Sequence, residues 1–253
     1  MLEAYLREKL KEKEILLMSH MVLGYPSFEV SMEMVAAMVS AGVDLMELQI
    51  PFSEPMADGP VILRANQQSL ANGTTVQKCF EFAEKVTRSF NIPFLFMTYY
   101  NIVFKYGVER FAGAMATHGI RGAIIPDLPP EESGDYLMAM EKHDMAPIYI
   151  FSPTTTPERM RYIASAGKGF IYCVARKGVT GAETTFSDDF SVYLAQCKDA
   201  TDLPLAVGFG IKNRAEIDFL RGKGDIAVVG SEMIRRVEQV GVSGIKSFLE
   251  SLR

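Results

Sequence analysis

The chain has 253 residues, 48% of them hydrophobic and 23% charged, with a formal net charge of −5. Such a composition fits a globular protein with a large apolar core, and barrels of this length are routinely single domains. The mildly acidic balance leaves no electrostatic footprint for nucleic acid. Three scattered cysteines without a CxxC pair, and three scattered histidines, argue against a disulfide framework or a zinc site.

At the N-terminus, Arg7, Glu8, Lys9, Lys11, Glu12, Lys13 and Glu14 alternate with Leu2, Leu6 and Leu10. The pattern predicts a short amphipathic helix and lacks the apolar h-region of a signal peptide. No run approaches the length of a membrane span, so a cytoplasmic protein is expected. Leu16 to Leu23 reads as a first strand, ending at Gly24-Tyr25-Pro26. Ser27 can cap the helix that follows, with Val30, Met34 and Met38 on its apolar side. Gly42 stops that helix, and Val43 to Ile50 is a second strand.

Val61–Leu70 and Val76–Phe90 read as helices, with Asn72-Gly73 between them. Pro93 introduces a third strand, Phe94–Thr98, and Gly107–Thr117 is helical. Gly122–Ile125 is a fourth strand, Glu131–His143 a helix and Pro147–Phe151 a fifth strand. Thr156 caps a helix that carries Pro157 at its first position. Phe170–Val174 is a sixth strand, and a long polar stretch, Arg176–Asp189, follows it. Leu205–Val207 is a seventh strand, Asn213 caps a helix through Leu220, and Ile226–Val229 is an eighth strand. Val242–Leu252 closes the chain as a helix.

Strict alternation of eight short strands with helices implies a parallel sheet. Eight such units in one chain of this size predict an α/β fold, a single-domain (β/α)8 TIM barrel over residues 1–253 with an extra short N-terminal helix. An open doubly wound sheet would need a GxGxxG turn after the first strand, and Gly24-Tyr25-Pro26 is not one.

The period of two puts Met46, Leu48 and Ile50 on one face of the second strand and Leu45, Glu47 and Gln49 on the other. If the first set packs under helices, Glu47 points into the barrel, where a carboxylate is costly unless paired or used. The loop after it carries Ser53, Glu54, Asp58 and Gly59. Glu47 and Asp58 thus bring two carboxylates to one barrel mouth, suited to proton transfer and hydrogen bonding. An interior salt bridge for Glu47 and a plain Asp-Gly turn for Asp58 are the bland alternatives.

Glycines follow strands six (Gly178, Gly181), seven (Gly208, Gly210) and eight (Gly230, before Ser231). Bare backbone N–H groups there, with a helix starting at Ser231, suit a phosphate. Tyr172 shares the alternation of Phe170 and Val174 and can line the cavity. Met97, Ile124 and Ile150 near other strand ends could flank a flat apolar substrate or be ordinary packing, and Phe209 can fill the mouth.

Several longer strings narrow the reading: ELQIPFSEPMADGP from Glu47 to Pro60, MTYYN from Met97, PDLPPEE from Pro126, APIYIFSPTTTPERM, YCVARKGVTGAE, VGFGI and VGSEMI. Together, from Leu16 to about Ser231, the chain resembles the tryptophan synthase alpha chain family. The resemblance implies a lyase that cleaves indole-3-glycerol phosphate to indole and glyceraldehyde 3-phosphate. Glu47 matches the family's catalytic glutamate and Asp58 its catalytic aspartate, with Tyr172 beside Glu47. Gly181, Gly210, Gly230 and Ser231 would hold the phosphate, and Thr180 would close over the site as a lid. The resemblance further implies no cofactor in this chain, and the scattered histidines and the two carboxylates without a metal-like companion argue for no metal. A beta chain would carry pyridoxal phosphate and join it in an alpha2-beta2 tetramer.

Several positions depart from the usual family pattern. Gln49 replaces a usual glycine, where it could narrow the cavity or hydrogen-bond the Glu47 carboxylate. Glu54 replaces a usual aspartate, Gln68 an arginine, and Ile102 a proline or leucine. His20 stands at a place that is usually apolar. A free-standing lyase and a catalytically weak binding subunit remain the alternative readings.

Overall fold

A computed structural model describes residues 2–174, 188–208 and 210–253. Its strands are β1 (Leu16–Val22), β2 (Leu45–Gln49), β3 (Phe94–Met97), β4 (Gly122–Ile124), β5 (Ala146–Phe151), β6 (Ile171–Val174), β7 (Leu205–Gly208) and β8 (Ile226–Val229). They pair in sequence order, all parallel, and β8 closes onto β1. The helices are α1 (Leu2–Glu12), α2 (Phe28–Ser40), α3 (Pro60–Ala71), α4 (Val76–Ser89), α5 (Tyr100–Tyr106), α6 (Val108–Thr117) and α7 (Gly134–Lys142). After them come α8 (Pro157–Ala166), α9 (Asp188–Ala200), α10 (Arg214–Leu220), α11 (Ser231–Val240) and α12 (Ser243–Ser251). The expected (β/α)8 barrel is therefore what forms.

The helix starts follow the side-chain chemistry. The Ser27 hydroxyl accepts from the Val30 N–H, and Thr156 does the same for Arg159 ahead of Pro157. Asn213 and Glu216 form a reciprocal capping box on α10. Two segments differ from expectation. Tyr100–Tyr106 is helical, although its aromatic and β-branched residues carry no helical signature of their own. The helix expected from Glu131 breaks into a 3-10 turn, Pro130–Glu132, and then α7; the Ser133 hydroxyl turns back to the Pro130 carbonyl at 2.8 Å.

Apolar side chains sort into two shells. Met46, Leu48 and Ile50 join the layer between strands and helices. Leu16, Met18, Leu45, Leu95, Ile148, Phe170, Ile226 and Val228 fill the barrel itself. Leu2 and Leu6 of α1 belong to that inner cluster, so the extra helix seals the end of the barrel where the strands begin. Burying a leucine of this kind stabilises by about 1.5–3 kcal/mol. With that end sealed and packed, the polar interior residues gather at the other end, where the strands finish. Cys79, Cys173 and Cys197 are free and buried. No helix among the described residues is long and apolar enough to cross a membrane.

A candidate active site at the C-terminal mouth of the barrel

Register decides which polar side chains meet. β1 and β2 pair with His20 opposite Glu47 and Val22 opposite Gln49. Alternation then turns His20, Glu47 and Gln49 inward together. All three are almost fully buried, with Glu47 only 4% exposed. His20 Nδ1 lies 2.7 Å from Glu47 Oε1. Glu47 Oε2 and His20 Nε2 are buried and make no hydrogen bond among the described residues. Leaving a buried polar atom unmet costs on the order of 1–3 kcal/mol, more when it is charged. Native interiors avoid that cost except where a ligand or a function needs the group.

The loop after β2 is pinned by side chains from two other elements. The Ala57 N–H donates to the Tyr99 hydroxyl at 3.1 Å, and the Phe52 N–H donates to Asn66 Oδ1 at 3.0 Å. The Phe52 ring stacks on Tyr99 with 5.2 Å between centroids. These contacts place Asp58, also buried, just before Gly59 and the start of α3. Gln49 Nε2 donates to Asp58 Oδ2 at 2.5 Å, and Asn66 Nδ2 donates to the same oxygen at 3.3 Å. The Gln49 amide thus goes to Asp58; its expected alternative partner, Glu47, takes His20 instead. Gln49 thus bonds into the loop after β2, whereas Glu47 bonds to His20 on β1.

Burial pushes the Asp58 carboxyl above the usual range for aspartate, and the neighbouring Glu47 adds to this. The bonds from Gln49 and Tyr99 and the nearness of His20 pull it back in part. Burial also holds the Tyr172 phenol well above its usual value, reinforced by Glu47 and Asp58, so Tyr172 stays a neutral hydroxyl beside both carboxylates. Gly208 makes room for it, because a Cβ there would lie 2.9 Å from the Tyr172 oxygen. Met97 and Ile124 belong to the inner cluster, and Ile150 and Tyr172 pack against it. Glu47, Asp58, Tyr172, Met97, Ile124 and Ile150 therefore gather at one mouth.

Closure of the barrel brings the described late glycines, Gly208, Gly210 and Gly230, to the same side. Gly230 caps α11, whose first residue, Ser231, is buried. A Cβ on Gly230 would lie 3.9 Å from the Cβ of His20. The corner read from β6 to β8 is thus next to β1, one strand away from Glu47. Gly210 has a φ of +87°, a left-handed conformation that suits glycine, with nothing within 4 Å of where a Cβ would point. Thr180, Gly181 and Phe209 lie outside the described residues. Among the described residues no group of three or more His, Cys, Asp or Glu could hold a metal ion.

Reading the sequence alone misses Asn66 and Tyr99 and does not assign His20 to the site. Tyr99 stands in the MTYYN string, which could have drawn attention to it. Asn66 is an ordinary helical asparagine in sequence, and only its complete burial and its four partners, Gln49, Phe52, Asp58 and Ile62, mark it out.

The family model for the tryptophan synthase alpha chain matches residues 6–251. The tryptophan synthase alpha chain of Desulforapulum autotrophicum is 64% identical over 252 residues, covering 100% of both chains. That of Syntrophotalea carbinolica is 62% identical over 253 residues, again covering 100% of both. Among solved structures, tryptophan synthase of Mycobacterium tuberculosis superposes with a TM-score of 0.93 at 31% identity, covering 99% of this chain and 96% of that one. A mouth with two buried carboxylates, a neutral tyrosine and a glycine-capped helix sits where this family's sequence strings fall, and the chain belongs to the tryptophan synthase alpha chain family.

Proposed function

We propose that this mouth cleaves indole-3-glycerol phosphate to indole and glyceraldehyde 3-phosphate by a retro-aldol reaction. The observation that carries the reading is Glu47: an interior carboxylate with one oxygen held and the other buried without a partner among the described residues. The carbon–carbon bond between indole C3 and the glycerol arm breaks once C3 has gained a proton. The adjacent hydroxyl loses its proton and becomes the aldehyde. Glu47 gives the first proton and takes the second, so it ends as it began.

Protonating C3 leaves positive charge on the ring nitrogen, and Asp58 accepts the indole N–H and stabilises that charge. Gln49 and Asn66 keep the Asp58 carboxylate aimed while it does so. Met97, Ile124 and Ile150 flank the ring, and the Tyr172 hydroxyl stands beside Glu47. The phosphate rests on the backbone of Gly210 and Gly230 and on Ser231 at the start of α11, where the N–H groups of a helix N-terminus and the helix dipole favour an anion. Gly181 and the Thr180 lid complete this reading.

This chain's own residues supply the acid, the base and the anion site, so the reading needs no cofactor in it. We further propose that indole passes to a beta chain, which carries pyridoxal phosphate, in an alpha2-beta2 tetramer in the cytoplasm. The exposed apolar side chains Met56, Phe104 and Met138, on the segments after β2, β3 and β4, support a partner surface around the mouth. The test is indole release from indole-3-glycerol phosphate by the purified chain, with and without the beta chain. Release that rises with the partner is expected. No release under either condition would overturn the lyase reading, and full activity without the partner would make the chain a free-standing lyase.

A further inference from the structure

Glu47 has to hand over one proton and collect another, yet a glutamate side chain has three rotatable bonds and this one has an apolar interior beneath it. What fixes it is visible on the neighbouring strand. His20 sits opposite Glu47 in the β1–β2 register, and its Nδ1 is 2.7 Å from Oε1. The ring itself has little freedom, being 3% exposed, and a Cβ added to Gly230 would come within 3.9 Å of the His20 Cβ. With Glu47 ionised, Nδ1–H is the donor, a charge-assisted bond in a poorly solvated place. It occupies Oε1 and leaves Oε2 as the only oxygen of Glu47 without a partner among the described residues.

We propose that His20 is a positioning residue for the retro-aldol reaction: it clamps Oε1 of Glu47, so that both proton transfers run through Oε2. This rests on the reading of Glu47 as the acid and base given above. The geometry distinguishes the clamp from an ordinary interior ion pair. A pair that served stability alone would use both carboxylate oxygens and both ring nitrogens, as buried polar groups generally do. Here one atom on each partner, His20 Nε2 and Glu47 Oε2, has no partner among the described residues. A clamp also fits the chemistry, because a carboxylate held within a few tenths of an ångström of its working position loses no rotamer freedom in the transition state.

The test is steady-state cleavage of indole-3-glycerol phosphate by the full chain carrying His20→Phe, His20→Asn and Glu47→Gln, with melting temperature recorded for each. Phenylalanine keeps a ring and removes the donor; asparagine puts an amide N–H near the place of Nδ1. His20→Phe is expected to lose about 10- to 100-fold in kcat, the worth of one hydrogen bond to a charged group, with KM within about threefold because the substrate contacts are kept. His20→Asn is expected to recover most of that loss. Added to Glu47→Gln, the His20→Phe change should cost nothing more, since the clamp then has nothing to hold. Parental kcat in a folded His20→Phe protein, or a folded His20→Asn protein as slow as His20→Phe, would overturn the clamp while leaving Glu47 in its role. Parental activity in Glu47→Gln would overturn the role of Glu47 and the clamp with it.

Discussion

At the N-terminal end of β2, Asp44 is buried and both of its oxygens are in use. Oδ2 accepts from the Leu17 N–H at 3.0 Å, and Oδ1 pairs with the Lys13 ammonium. Three residues along the same chain, at the mouth end, Glu47 is buried to the same degree but has only one oxygen engaged among the described residues. The difference follows the general division of such barrels, in which the end where strands begin holds the structure together and the end where they finish does the chemistry. It also teaches that burial alone does not mark a functional acid. What separates Glu47 from Asp44 is a carboxylate oxygen without a partner among the described residues.

The comparison can be broken by substitutions at either end. The largest effect is expected from Glu47→Gln, which keeps the shape and removes the exchangeable proton. Turnover should fall by about 10²–10⁴-fold, the range for loss of a general acid–base group, while the melting temperature stays level or rises. A marked loss of stability would place Glu47 with Asp44 as a structural residue. Asp44→Ala should do the reverse. It strands the buried Leu17 N–H, at a cost of about 2 kcal/mol in denaturant unfolding. The bond to Lys13 adds little to this, because the lysine is partly exposed to solvent. Turnover per folded molecule should be unchanged.

A smaller and more discriminating effect concerns Asp58, whose carboxyl is held above its usual range mainly by burial. In the unfolded chain this group ionises first as pH rises, so the folded state keeps its proton longer. Stability must then decline as pH rises from the ordinary aspartate value, about 3.9, to the raised one, and remain lower beyond it. Asp58→Asn removes that decline. Its melting temperature should fall less than the parent's over this window, even though cleavage is impaired. A parent and variant with parallel pH profiles would contradict the placement of Asp58 in a poorly solvated site.

How much of this could be read in the sequence differs from residue to residue. The eight β/α units follow from strand and helix periodicity, and the inward turn of Glu47 follows from alternation with Met46, Leu48 and Ile50. Both are local properties of the chain. The Ser27, Thr156 and Asn213 caps were legible for the same reason. Tyr100–Tyr106 was not: seven residues of aromatic and β-branched character, started by Tyr99 without a side-chain cap, become helical through their packing. The His20–Glu47 contact depends on the register between two strands, and the Gln49–Asp58 bond on the path of a loop pinned by Tyr99 and Asn66. Neither quantity is written in any one stretch of sequence. Gln49 illustrates the limit well, since its inward face could be derived but the carboxylate it bonds could not.

The central claim is that the two ends of β2 divide chemistry from stability. It is tested most directly by indole release from indole-3-glycerol phosphate, measured side by side for the parent, Glu47→Gln and Asp44→Ala at equal concentrations of folded protein. The account predicts near-complete loss in Glu47→Gln and parental turnover in Asp44→Ala. Equal turnover in Glu47→Gln and the parent, or equal losses in the two variants, would contradict it.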